Sequence, residues 1–435
     1  MADGLTRQPT VPPPTRERTG RSSGRDGARV AGSGSGSGRR ALRRLTVRWR
    51  LLPWWARVLA VFVVSRVVST ALLLSFAGRQ GANAWTLARP DYASFASIWD
   101  GHWYYIIAAV GYPSTLPLTE TGHVAENAWA FMPAYPLLVR GLMELTGASF
   151  AALAVVVSTA FAAGTALLFH RLLRHVLPDG TALFGVVLFC ASPLSPLLQV
   201  AYAESMFLFL LCAALLLMVR RRYVAMLPVV LVLSFTRPGA LPLALALGLH
   251  VVHRWWRRRD DPFPGRELAA AGAATVATAV AGLGWLLVAG LVTGRLDAYT
   301  ETELAWRSAY IGYGPLVPFT PWIEGANWWF PGGRGVALLV ISLIAFGVLL
   351  FGPWGRRIGL DLRLWSLAYA LYLLAVFFPQ SSTWRLLMPL FPLLGVLALP
   401  RSRVYRVALV LLFVAGQWLW IDWCWWVDGY DWTPP

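Results

Sequence analysis

Apolar runs of about 18 or more residues recur along this chain, and no other feature narrows its possible folds so far. As a helix, such a run crosses the bilayer core, because each residue adds about 1.5 Å to a core about 30 Å thick. Lipid offers a peptide group no hydrogen-bond partner, so the backbone must close its bonds within helices. With 57% hydrophobic and 14% charged residues, against about 25% charged in soluble domains, the chain reads as an all-α polytopic membrane protein. A soluble globular enzyme is excluded.

Spans are expected near 55–77, 149–173, 181–200, 205–219, 268–292, 335–352, 364–379, 386–399 and 404–426. Between Tyr223 and His253, two shorter apolar pieces are divided by Thr236, Arg237, Pro238 and Gly239. Pro and Gly break helices, so this stretch is expected to form a tight hairpin with Arg237 near its tip. With both its helices counted, the bundle has about eleven transmembrane helices in one domain, 47–435.

The net charge of +17 resembles a nucleic-acid signal until it is located. Twelve arginines against Asp3, Glu17 and Asp26 lie in the first 50 residues, where Pro, Gly and Ser abound. Residues 1–46 therefore read as a disordered basic tail beside an anionic leaflet, with no nucleic-acid partner. The tail lacks a signal-peptide pattern, so the first span is expected to stay in the protein. Arg171 with Arg174, Arg220–Arg222, Arg254 with Arg257–Arg259, Arg356 with Arg357, and Arg401 with Arg403 and Arg406 fall on the tail's side. By the positive-inside rule that side, with the N-terminus, is cytoplasmic. The outer face then receives two polar loops, about 78–148 and 293–334, and the connections near Ala203 and Ser382. Every basic residue is Arg, which suits a GC-rich genome and hence a bacterial plasma membrane.

The outer face carries the candidate chemistry. The segment Ile98–Tyr105 and its apolar continuation are too short to span and suit a helix lying in the interface. This holds Asp100 at the membrane surface, where it also suits a helix N-cap. Glu204, in a very short turn between two spans, is either a functional carboxylate or half of an ion pair with an Arg. Arg237 and Arg385 supply donor forks matched to phosphate oxygens, or else snorkel to headgroups. Arg66, inside the first span, is expected to face the bundle and meet a carboxylate or carbonyl. Trp306, Tyr310, Tyr313, Trp322, Trp328 and Trp329 either line a sugar or lipid groove or pack at the interface. Cys190, Cys212 and Cys424 form no CxxC pattern, and His102 and His123 with Glu120 and Glu126 match no compact metal motif. Neither a metal nor another cofactor is expected.

Carboxylates and arginines on one face suit group transfer from a lipid-linked phosphate donor. A carboxylate deprotonates the acceptor hydroxyl, and arginines stabilise the departing phosphate. The rival class is a lipid-linked sugar transporter or flippase. Such proteins usually repeat their broken helices in two related halves, and only one such hairpin is legible here.

Motifs in order along the chain resemble the PIG-V type mannosyltransferases of the GT-C glycosyltransferase superfamily. The resemblance rests on Trp99 and Asp100 with Tyr104 or Tyr105, Ile107, Ala108, Gly111 and Tyr112. It continues through Phe131, Pro133, Tyr135, Pro136 and Leu137, then Ala201, Tyr202, Glu204 and Ser205, then Thr236, Arg237 and Gly239, and ends at Arg385, Pro389 and Pro392. It implies a GT-C-like bundle with interfacial helices in its outer loops. It also implies inverting, metal-independent transfer of mannose from polyprenyl phosphomannose to a lipid-linked glycan or glycolipid. Asp100 would be the base, Arg237 and Arg385 would bind the donor phosphate, and Trp99, Tyr104, Tyr135 and Glu204 would contact substrate. A bacterial source favours an envelope glycolipid or lipoglycan over a glycosylphosphatidylinositol precursor as acceptor. Another polyprenyl phosphosugar, carrying glucose or arabinose, stays open.

Overall fold

The computed structural model describes residues 47–49, 51–314, 317–427 and 435. The basic tail expected at 1–46 lies outside them. The described residues before Pro53 belong to a separate unit and include a helical turn in which the Leu52 amide donates to the Arg48 carbonyl. From Pro53 onward, the described chain has an isolated antiparallel bridge, Leu118 to Val124, and is otherwise helices and their connections.

Its main helices are α1 (Trp54–Ala77), α2 (Asp100–Val110), α3 (Ala134–Thr146), α4 (Phe150–Arg174), α5 (Asp179–Ala191), α6 (Glu204–Val219) and α7 (Tyr223–Ser234). They continue with α8 (Ala240–Trp256), α9 (Gly265–Thr293), α10 (Ala298–Ala305), α11 (Thr320–Trp329), α12 (Arg334–Phe351), α13 (Leu360–Val376) and α14 (Arg403–Trp420). A π-helical turn, Ile421–Trp425, extends α14. Among the described residues, five helices are long and apolar enough to cross a membrane: α1, α4, α9, α12 and α14 with its extension. The chain is an integral, multi-pass membrane protein. Val63, Val64 and Val67 of α1 and Leu411 and Leu412 of α14 point outward, as a lipid-facing surface requires. By contrast, α6 is apolar around its circumference and almost wholly buried, packed on α4 and α7.

Eleven full crossings are not what the described residues form. The span expected at 181–200 ends as an α-helix at Ala191, because Pro193 and Pro196 follow and the chain tightens into a 3-10 segment, Ser195–Gln199. The span expected at 386–399 is likewise not a continuous α-helix. Pro389 and Pro392 remove two amide donors, leaving a 3-10 segment, Met388–Leu393, and a single turn, Leu394–Leu397. Around it, α5, α6, α7, α8 and α13 run only 12 to 17 residues each.

The hairpin tip falls where expected, between α7 and α8, but its arms splay. Helix α7 packs mainly on α6 and α9, and α8 on α9 and α13. Gly239 lets the tip close on α6, since a Cβ there would stand 2.3 Å from the Phe207 ring. Arg66 finds carbonyls rather than a carboxylate. It donates to Ser195 O at 2.7 Å, Gln199 Oε1 at 3.0 Å and Cys190 O at 3.1 Å, and to the Ser195 hydroxyl, closing off the end of α5.

Ion pairs bring the start of α2, the start of α6, the hairpin tip and Arg385 together at one end. The arginine-rich turns after α6 and α8 gather at the other.

Candidate functional site

Asp100 is aimed by a strained turn. Trp99 has φ 57° and ψ −124°, and the Gly101 amide donates to the Ile98 carbonyl at 3.1 Å. That geometry matches a type II′ turn, whose first central position favours Gly. A bulky residue there costs about 1–3 kcal/mol and persists only where its surroundings hold it. Here the buried indole donates from Nε1 to the Trp425 carbonyl at 2.9 Å and packs against Trp85 at 4.5 Å. One residue on, Gly101 brings α2 against the turn before α6: a Cβ would lie 3.3 Å from that of Ala201. The Asp100 side chain does not cap α2. Its backbone amide donates to the Tyr202 hydroxyl at 3.2 Å, leaving the carboxylate free to face elsewhere.

It faces Arg385. One guanidinium nitrogen of Arg385 bonds Asp100 Oδ2 directly, while Nε lies 3.4 Å from Glu204 Oε1. The same Glu204 oxygen accepts from Arg237 at 2.5 Å. The result is an alternating line, Asp100, Arg385, Glu204, Arg237, assembled from four distant parts of the chain. The Tyr202 ring lies beneath Arg385, 5.4 Å from the guanidinium carbon. The side chains are 14%, 12%, 4% and 14% exposed in that order. Charges so far withdrawn from water interact strongly, roughly 4 kcal/mol for a pair 4 Å apart at an effective dielectric of about 20. Glu204 Oε2 and Arg385 Nε are buried without a hydrogen-bond partner.

Four of the seven residues singled out from the sequence, Asp100, Glu204, Arg237 and Arg385, thus form one constellation, with Trp99 behind it. Tyr104 is buried edge-on to Tyr135 and Tyr202, with ring centroids 5.2 and 6.5 Å away. Tyr135 is fully buried, its hydroxyl bonded to Ser158 Oγ at 2.9 Å and Ala154 O at 3.1 Å, which makes it part of the wall behind the charges. Sequence reasoning missed the role of Tyr202, which touches both Asp100 and Arg385. Its place two residues before Glu204 in a very short turn is the signal that could have marked it.

Trp322 and Trp329 donate from their indoles to Leu373 O and Pro379 O, which ties the second loop to the end of α13. Their polar atoms are thereby used in packing. A groove of about 370 Å³ runs along α2, lined by Trp103, Ile106, Val110, Tyr112, Pro117 and Glu126, and none of the four charged residues lines it. Burial raises the Glu126 carboxyl above its usual range. Among the described residues, no group of three or more His, Cys, Asp or Glu is placed to hold a metal ion.

No family model matches the sequence, and neither does any curated protein. Among solved structures, the chain is similar to the Archaeoglobus fulgidus oligosaccharyltransferase tethered with an acceptor peptide, at 12% identity and a TM-score of 0.40. The match covers 83% of this chain and 53% of that one, so the chain spans about half that protein's length.

Proposed function

We propose that the protein is an integral-membrane glycosyltransferase of GT-C type that moves mannose from polyprenyl phosphomannose to a lipid-linked glycan or glycolipid on the outer face. The observation that carries this reading is the sunken line of two carboxylates and two guanidinia at one end of a lipid-embedded bundle. A lipid phosphate arriving laterally meets arginines whose donor geometry suits its oxygens. Asp100 is the carboxylate at the end of the line and serves as general base.

In the reaction, the acceptor oxygen bonds the anomeric carbon as the bond from that carbon to the phosphate oxygen breaks. The electron pair leaves on the phosphate, the hydroxyl proton passes to Asp100, and attack opposite the leaving group inverts the centre. Base catalysis contributes about 10²–10⁴ in rate, and the arginines stabilise the charge that builds on the phosphate. The groove along α2 seats the acceptor, with Trp103 and Tyr112 against apolar sugar faces and Glu126 at hydroxyls.

The test is a membrane assay with labelled polyprenyl phosphomannose and identification of the glycolipid formed. Transfer in wild type and its loss in Asp100→Asn is the expected result. Movement of the donor across vesicles without a new glycosidic bond would replace this reading with a transporter.

A further inference from the structure

Arg385 has more anions within reach than it has charge. Asp100 holds it directly, Glu204 stands 3.4 Å from its Nε, and Glu204 is already bound to Arg237 at 2.5 Å. The Tyr202 ring supports the guanidinium from below without tying it to either carboxylate. Arg385 Nε and Glu204 Oε2 are buried yet unbonded, so the present pairing does not saturate the set. Meanwhile the Arg385 guanidinium lies directly on Asp100 Oδ2, where it stands in the way of an acceptor hydroxyl approaching that oxygen.

The transfer described above moves one negative charge. Asp100 becomes neutral when it accepts the hydroxyl proton, and in the same step the departing phosphate gains the electron pair of the broken bond. The total charge of the site is unchanged, but its location shifts from the carboxylate to the phosphate. A guanidinium left on Asp100 would neutralise nothing, while one on the phosphate would meet the full developing charge.

We propose that Asp100 and the donor's phosphate are alternative partners of Arg385. At rest Arg385 occupies the base. When the lipid phosphate enters, Arg385 turns to it and frees Asp100 for the acceptor hydroxyl, so the base is available only in donor-loaded protein. Glu204 is the positioning residue: its Oε1 lies beside Arg385 Nε and holds Arg237 as well, keeping both guanidinia at the site during the exchange. This rests on the phosphate-donor reading but is independent of the sugar.

Competition for one cation is reciprocal, and so it can be read by binding alone. The probe is citronellyl phosphate, a short isoprenyl monophosphate, titrated into the full chain in detergent. Asp100→Asn, which lacks the base, is expected to bind it about tenfold more tightly than wild type. Arg385→Ala should bind about tenfold more weakly, and adding Asp100→Asn to it should restore nothing, which closes a double-mutant cycle. Glu204→Gln should raise donor KM while leaving acceptor KM unchanged, with Glu204→Asp recovering part of the loss. Melting temperature and elution volume verify folding, and Asp100→Ser serves if the Asn variant misfolds. Unchanged or weaker binding in folded Asp100→Asn, or an equal gain with and without Arg385, overturns the exchange. Wild type that ignores the phosphate altogether overturns the phosphate-donor reading itself.

Discussion

The two ends of the bundle are built from the same residue types with opposite results. At the arginine-rich end, Arg221 pairs with Asp261 at 2.6 Å, and Arg57 with Asp179 at 3.1 Å, while Asp261 and Asp179 are 38% and 36% exposed. Even the buried Arg254 there finds Glu267, the Tyr223 hydroxyl at 3.2 Å and the Pro262 carbonyl at 3.2 Å, all near its own turn or on adjoining helices. His250 bridges Tyr223 and Asp361 at 2.9 and 2.7 Å, which ties α7, α8 and α13 together. At the Asp100 end, every member of the ionic line is sunk, and each comes from a different part of the chain. Ion pairs shared with water are cheap to lose, whereas buried ones bind tightly to whichever partner remains. The first arrangement secures helices, and the second is the one on which the proposed chemistry rests.

That distinction can be broken most directly at Asp100. Asp100→Asn is expected to lower transfer per folded molecule by about 10²–10⁴; wild-type turnover would leave the two ends chemically equal. Arg254→Ala probes the opposite end and should destabilise the protein by about 3 kcal/mol, because Glu267 and Tyr223 lose a buried partner. Activity per folded molecule should survive, and a specific loss of turnover at full stability would erase the contrast.

A smaller effect sharpens the account of the turn. Trp99→Ala and Trp99→Gly remove the same indole contacts, yet only Gly accepts the positive φ freely. The Gly variant should therefore be the more stable of the two by about 1 kcal/mol in thermal denaturation. Equal or reversed stabilities would mean that the turn stores no strain. Last, Asp261→Asn should shift stability by no more than about 1 kcal/mol and leave transfer untouched, as expected of an exposed pair.

What could be read from the sequence was local. The α1, α4, α9 and α12 spans follow from unbroken apolar runs, and the hairpin tip follows from Pro238 and Gly239. The failures came where short-range chemistry overrode hydropathy: Pro389 and Pro392 sit in an apolar run that hydropathy counts as a span, yet they prevent a continuous helix. The partners of Arg66 were illegible because they are mostly carbonyls about 130 positions away, and carbonyls leave no mark in a sequence. An Arg partner was one of the two readings of Glu204, but that it would be both Arg237 and Arg385 was not legible, because the chain brings them in from separate segments. Trp99 gave no hint of its backbone either, since nothing in its side chain favours positive φ.

The indole of Trp99 hangs from the carbonyl of Trp425, so the aim of Asp100 depends on a stretch that the ribosome delivers more than three hundred codons later. A nascent chain can thread its earlier helices into the bilayer, one after another, well before that stretch emerges. Until it docks, the growing protein carries a carboxylate without a fixed bearing. Translation products arrested or released before that stretch would then be inserted with Asp100 unaimed.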